Sequence, residues 1–514
     1  MPLRDNGSTL SYDEREPRLA FSTQAYRLGG AQTKPRAPRG LYPPMLNVKS
    51  TVRGIAWPGI AGPFASQLMA MQFQFEQTQW LSPAEIQERQ IPQLGLLLAH
   101  AYATTPFYRQ RLDAAGLPPE AITGPDTWRQ IPLLTRGDIQ AAGETLHSNA
   151  VPDEHGPRSR MMTSGSTGRP VMTIGTGVTQ LYWNACTLRD HVWHRRVAGG
   201  KLAAIRSLAA EVGLPPAGIT AEDWGPATRG IMDTGPSVML NIHSTVAEQA
   251  DWLIRENPDY LLTYPSNVSA LVRRIGPRDD RLSRLREVRT FGELVEPRIR
   301  EECRDVWGLK VVDIYSSQEV GYLALQCPEH EHYHVQSENV LVEVLDDKNQ
   351  PCEPGQIGRM VVTSLHNFAL PLLRYEIGDY AEVGLPCRCG RGLPVLNRIL
   401  GRQRNMAVLP GGERRWPSIE LSGTDALDNF PPIQQFQLIQ RSLEQMEMLL
   451  VAPRAFTQAE ANLLHGWVTQ AVGHRFELKL TYVPEIPRSA SGKFEDFRCE
   501  VDPNGAASIQ APPA

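Results

Sequence analysis

Between about residues 155 and 400 the sequence keeps switching between two periods, and this limits the available folds more than any other feature. Runs such as VVDIYSS (311–317) and RMVVTSL (359–365) are short, apolar and β-branched, as strands are. Runs such as AEQADWLIREN (247–257) and EPRIREECRDVW (296–307) instead read as helices. Strands mixed with helices in this way call for an α/β body with more than one sheet. A single core stops growing near ~250–300 residues, so a chain of 514 residues needs a second unit. Around 398–415 the sequence turns rich in Arg and Gly, and a smaller αβ set follows: QQFQLIQ, MEMLLVA, ANLLHGWVTQAV and LKLTYVP. The expected organisation is an irregular extension at 1–60, a large core domain at 61–402, a small α+β domain at 403–500 and a disordered tail at 501–514. Near the start of the core, Ser82 with Glu85 three residues on predicts a capped helix over SPAEIQERQIPQLGLLLAHAYA.

Composition narrows the function. A formal net charge of −4 argues against a nucleic-acid binder that relies on a broad basic field. No apolar run approaches the ~18–20 residues that span a bilayer, and the polar N-terminus lacks the apolar core of a secretory signal. The expectation is a cytoplasmic protein with neither a membrane nor a nucleic-acid partner. Seven cysteines, an odd number, do not suggest a disulfide framework in such a chain.

Four stretches carry chemistry. TSGSTGRP (163–170) packs two glycines and four hydroxyl residues into a loop beside the strand-like VMTIGTG. It does not fit the Walker A pattern, yet its glycines would let backbone N–H groups approach an anion while Thr163, Ser164, Ser166 and Thr167 donate. DIYSSQEVGY (313–322) ends a β run in a polar turn with one carboxylate, Glu319, a cap or a Mg²⁺ ligand. PLLRYEIGDYAEV (371–383) sets Asp379 in a Gly-Asp turn, where it either closes an Asx-turn or chelates paired hydroxyls. IPRSASGKFEDF sets Lys493 after a Ser-Gly turn on a mobile segment near the C-terminus. Taken singly, each is ordinary surface chemistry.

Their order is not ordinary. TSGSTGRP, TFGE (290–293), YSSQEVG (315–321), RYEIGD (374–379), GRQRNM (401–406) and PRSASGK (487–493) resemble the serial motifs of the adenylate-forming acyl-CoA synthetase superfamily. TPFYRQRLDAAG (105–116), PDYLLTYPS (258–266), GQIGRMVVTSLHNFALPLLRY (355–375) and WPSIE (416–420) are similar to its phenylacetate–CoA ligase branch, so the resemblance spans roughly 80–500.

The resemblance implies a large adenylation domain and a small mobile C-terminal domain. It implies ATP-dependent activation of a carboxylic acid, aryl or arylacetic, as an acyl-adenylate with loss of pyrophosphate, then transfer to the thiol of CoA. Lys493, Glu319 and Thr163 would be catalytic. Thr163, Ser164, Gly165, Ser166, Thr167 and Gly168 would cradle the β- and γ-phosphates of ATP, and Glu319 would hold Mg²⁺. Tyr315, with Ser316 beside it, and the Gly292-Glu293 turn would flank adenine, Asp379 and Arg402 would take the ribose hydroxyls, and Lys493 would approach the substrate carboxylate and α-phosphate. One departure stands out: Arg404 occupies the place where relatives carry the hinge aspartate. The second half-reaction therefore rests on less than the first, and delivery to a carrier-protein phosphopantetheine or an amine stays open, as does a non-catalytic nucleotide sensor. Relatives are often homodimers.

CPEHEHYH (327–334) and CRCG (387–390) form a second constellation. Cys327, one of His330, His332 and His334, and the Cys387-x-Cys389 pair would supply a Cys₃His zinc site, the alternative being buried thiols beside a solvated His run. Relatives carry a similar C…YH…CxCGRG pattern, which selects His334 and implies a structural role. For the acid pocket the candidates are Trp224, His243 and Tyr264, the two aromatic rings either suiting a flat substrate or simply packing in the core.

Overall fold

The computed structural model describes residues 48–162, 171–402, 405–417, 433, 435–489 and 491–501. Residues 1–47, the 163–168 loop, Arg404 and the tail from 502 lie outside the described residues. Residues 48–62 contain neither helix nor strand.

A twelve-stranded sheet is the frame of the body. Five strands at its centre are parallel, in the spatial order Ser237–Asn241, Leu202–Arg206, Tyr260–Thr263, Glu287–Phe291 and Val311–Ser317. A short antiparallel strand, Ile219–Ala221, closes one edge. From Val311–Ser317 outward every pairing is antiparallel, through Gly321–Gln326, Tyr333–Val335, Val395–Arg402, Tyr375–Val383, Ile357–Ser364 and Val340–Leu345.

The helices begin where local chemistry starts them. Ser82 N–H donates to Glu85 Oε2 at 2.8 Å and Ser82 Oγ accepts from Glu85 N–H, the expected capping box, and the helix runs Pro83–Thr104. Val246–Glu256 and Pro297–Trp307 match the two helical runs of the sequence, and Thr245 caps the first. Together with Pro265–Ile275 they cover one face of the parallel block, packing Trp252, Leu271 and Trp307 on Val288 and Val311. Ile314, three residues from Val311 and so on the opposite face of its strand, joins a separate core with Leu68, Leu188 and Trp193, where helices Pro63–Thr78 and Gly177–Trp193 pack.

From Ala407 onward the apolar residues turn to a core of their own. Four strands in the order Glu477–Tyr482, Gln445–Val451, Gln435–Gln440 and Phe497–Cys499 carry helix Gln458–Val472, whose Leu464, Val468 and Val472 pack on Leu438, Met448 and Leu450.

Candidate active site and metal centre

The parallel strands all end at one edge, and there they present Arg206, Asn241, Thr263, Phe291 and Ser317. In sheets of this kind ligands bind beyond the carboxyl ends of the strands. Val311–Ser317 is the last parallel strand, and the turn after it carries Glu319 where the sheet switches direction. The Glu319 side chain is only 10% exposed and faces Arg136 Nη1 at 3.6 Å.

The antiparallel part contributes through curvature. Tyr315 and Asp379 lie on strands four steps apart, about 19 Å in a flat sheet at ~4.8 Å per strand. Yet Tyr315 Oη donates to Asp379 Oδ2 at 2.6 Å, so the sheet curls back on itself and closes the site. Burial, then the Asp379 charge, hold the Tyr315 phenol well above its ordinary pKa, so it remains a donor. Asp379 is paired in register with Arg402 on the neighbouring strand, their Oδ1 and Nε 3.4 Å apart. The sequence suggests a turn here, but Asp379 sits inside the strand Tyr375–Val383. Gly378, at φ +88°, absorbs an irregularity in the ladder, and the strand passes through the point where a turn was expected.

Lys493 arrives from the C-terminal unit. A Cβ added at Gly292 (φ +79°) would lie 3.4 Å from Lys493 Cε and 3.5 Å from Tyr264 Cε1. The lysine pKa is lowered, by burial first and the Arg402 charge second, while Asp379, Glu293 and Glu319 oppose the shift. One lysine thus shares an electrostatic neighbourhood with Arg402, Asp379, Glu293 and Glu319. Ser316 lies in the same strand as Tyr315, paired with Tyr322.

One expectation is corrected. Trp224 is not at this edge: its Nε1 donates to the Gly200 carbonyl at 2.9 Å, and its ring packs on Tyr260 and His191. Gly200 precedes one parallel strand and Tyr260 begins another, so Trp224 stands at the opposite end of the sheet. The Glu293 carboxylate, in the turn expected to flank adenine, accepts from the N–H groups of Ser266 and Phe494. Tyr264 is at the site but its hydroxyl is occupied, donating to the Ser491 carbonyl at 2.9 Å. His243 follows its strand at the expected edge and is exposed. The aromatic ring missing from the sequence list is Trp183. It is 39% exposed, its ring lies tilted against Tyr322 with centroids 4.8 Å apart, and its Cε3 would be 3.8 Å from a Cβ added at Gly321, two residues past Glu319. Its only signal was a place on the helix that follows the 163–170 loop. Arg136, the partner of Glu319, carried none.

The second constellation does assemble. Cys327, His334, Cys387 and Cys389 bring their donor atoms within 4.8 Å of one another. Cys327 and His334 flank a short hairpin closed by Cys327 N–H to the His332 carbonyl, and the other two thiols lie between strands Tyr375–Val383 and Val395–Arg402. The Cys327 and Cys387 sulfurs are 3.8 Å apart, and Cys389 Sγ is 3.4 Å from His334 Nε2. A tetrahedral zinc with Zn–S ~2.3 Å and Zn–N ~2.05 Å requires about 3.8 Å and about 3.6 Å for these pairs, so the donors fit the ion. His334 Nδ1 lies 3.3 Å from the Leu393 carbonyl, which leaves Nε2 for the cluster. Burial alone would raise the Cys327 thiol, but hydrogen bonds from His332 and His334 bring it down to about 4. Burial alone would lower His334, but Cys327 and Cys389 lift it to about 9.

Comparison with known proteins agrees with the geometry. Residues 424–497 match the family model of the CapK C-terminal domain. The phenylacetate-coenzyme A ligase of Thermus thermophilus is 29% identical over 333 residues, covering 62% of this chain and 70% of that protein. The phenylacetate-coenzyme A ligase of Escherichia coli is 27% identical over 339 residues, with 64% and 73% covered. The crystal structure of 2-hydroxyisobutyryl-CoA ligase in its postadenylation state superposes with a TM-score of 0.63 at 19% identity, covering 82% of this chain and 91% of that one. No helix among the described residues is long and apolar enough to cross a membrane. Sequence and fold agree: the chain is similar in sequence to phenylacetate-coenzyme A ligases and shares the fold of 2-hydroxyisobutyryl-CoA ligase.

Proposed function

We propose that the protein joins a carboxylic acid to ATP as an acyl-adenylate, releasing pyrophosphate, and then transfers the acyl group to the thiol of CoA. The observation that carries this reading is the place of Lys493, against Gly292 just past the carboxyl end of a parallel strand, where it feels the charges of Arg402, Asp379 and Glu319. The chemistry asks for such a cation. A carboxylate attacking an α-phosphate brings two anions together, so positioning and fixed charge do most of the work.

In this reading Lys493 bridges the substrate carboxylate and the α-phosphate. Asp379, steadied by Tyr315 and Arg402, accepts the ribose hydroxyls, and adenine lies between Tyr315 and Gly292. Glu319 offers an oxygen ligand to Mg²⁺, which when bound draws charge from the phosphates. Arg136 stands opposite to take up phosphate charge, and the 163–168 loop supplies further donors. Trp183 walls the acid. The similarity to phenylacetate-coenzyme A ligases supports an aryl or arylacetic acid and CoA as acceptor. Residues 403–500 act as the unit that carries the lysine in. Cys327, His334, Cys387 and Cys389 hold a structural Zn²⁺, since four protein ligands leave no open position for catalysis.

ATP–pyrophosphate exchange with Mg²⁺ and a panel of aryl, arylacetic and short aliphatic acids, with and without CoA, tests the reading. Exchange with one acid class and net turnover only with CoA is the expected result. Exchange with no CoA-dependent turnover redirects the acceptor to a carrier-protein thiol or an amine. Silence with every acid, in a protein that still binds ATP, refutes the enzyme in favour of a nucleotide sensor.

A further inference from the structure

We propose that Glu293 is a positioning residue for adenylation: its buried carboxylate docks the segment that bears Lys493, and it does not bind the nucleotide. The inference rests on the acyl-adenylate reading above.

Glu293 lies two residues past the strand Glu287–Phe291, and its side chain is 6% exposed. Each oxygen has its own partner. Oε2 accepts from Ser266 N–H at 3.0 Å, at the start of helix Pro265–Ile275. Oε1 accepts from Phe494 N–H at 2.6 Å, and Phe494 is the residue after the lysine. One carboxylate thus joins the body to the lysine segment through two charge-assisted hydrogen bonds, on the positive end of a helix. Arg488 of the segment adds its guanidinium, with Nη1 3.5 Å from Glu293 Oε1. The same Nη1 donates to Ser266 Oγ at 2.9 Å and to the segment's own Gly492 carbonyl at 3.1 Å.

The register is fixed by close approach. Gly492 has φ +77°, and a Cβ there would lie 2.6 Å from Ile242 Cγ2 and 3.3 Å from the Tyr264 ring. Only a glycine therefore lets the segment lie down in this position, which sets Lys493 against Gly292. Burial raises the pKa of Glu293, and the Arg488 charge and the two N–H groups oppose that rise. When the segment leaves, Phe494 N–H and Arg488 leave together, and the carboxylate keeps Ser266 alone. Glu293 is thus satisfied in the state that has the lysine in place.

The substitution Glu293→Gln tests this, because an amide has one acceptor and turns its NH₂ toward an N–H donor or Arg488. Gly492→Ala, on the segment itself, is the companion variant and cannot unfold the body. Hydrogen–deuterium exchange of the full-length protein reads docking directly. Residues 491–495 are expected to be protected in the wild type and to exchange at least about tenfold faster in both variants. In ATP–pyrophosphate exchange both variants should lose about 30- to 100-fold in kcat with the KM for ATP within about twofold, in keeping with loss of charge-assisted bonds. Thioester formation from supplied acyl-adenylate and CoA should stay within about twofold of wild type. Unchanged protection overturns the proposal, as does a raised KM for ATP with kcat retained, which would make Glu293 a nucleotide ligand. An equal fall in both half-reactions also overturns it. If the wild type itself exchanges with no acid, the adenylate reading falls, while the protection measurement still decides whether Glu293 docks the segment.

Discussion

Replacing Cys389 with serine withdraws one donor from a cluster that ties together separate stretches of the chain, and the size of its effect follows from the geometry. Cys327 follows the strand Gly321–Gln326, His334 lies in Tyr333–Val335, and Cys387 and Cys389 sit in the connection between two further strands. Structural Zn²⁺ sites of Cys and His contribute ~10–16 kcal/mol of apparent binding, so one ligand of four accounts for about 3–4 kcal/mol. With an unfolding entropy of ~2.1 cal/mol/K per residue, a body of roughly 350 residues gains about 0.7 kcal/mol per kelvin. The expected fall in melting midpoint is therefore about 5 °C. Differential scanning fluorimetry of zinc-loaded wild type and Cys389→Ser, with metal content measured on the same samples, checks this. The variant should hold zinc at least about tenfold more weakly. Cys352→Ser, outside the cluster, should keep its zinc in full. Wild type that binds no zinc at saturation, or a Cys389→Ser variant with unchanged metal content and midpoint, would falsify the assignment.

Two further outcomes are expected at the active site. In the proposed mechanism Lys493 works as a cation, and its pKa lies below the ordinary 10.5, so pyrophosphate exchange should decline on an alkaline limb centred below that value as the lysine deprotonates. Lys493→Arg, charged at every accessible pH, should shift that limb upward whatever its maximal rate; an unmoved limb would assign it to another group. Trp183→Ala should raise the KM for the acid by about tenfold while leaving the KM for ATP within about twofold, because a lost aromatic wall weakens only what rests on it. Equal changes in both would return Trp183 to a packing role.

The sequence was most informative where one residue's neighbours along the chain decide its state. Ser82 and Glu85 predict their helix start because both halves of a capping box lie within one turn. The Cys/His cluster was legible for a related reason: each pair of donors is local, and only the closure between 327–334 and 387–389 needed the fold. Trp224 failed because periodicity says that a residue is near a strand but not at which end, and Gly200 and Tyr260 lie at the end away from the site. Asp379 was misread as a turn residue because a Gly-Asp pair looks the same in a turn and in a bulged strand; only the pairing of Asp379 with Arg402 separates them. Glu293 looked like part of a nucleotide motif, since its partner Phe494 is 201 residues away in sequence and no local pattern reports it.

The body's last strand ends at Arg402, and by Ala407 the chain is already buried in the other core. Five peptide links reach at most about 18 Å when fully extended. In the proposed reading the lysine-bearing unit moves, and on so short a leash that movement is a swivel about its point of attachment, without drifting away and returning by diffusion. Its faces therefore stay at a high effective concentration over the strand ends, and what competes there is orientation, not encounter. The anchor of the leash, Arg402, is also the cation paired with Asp379, so the attachment point and the candidate site share one ion pair.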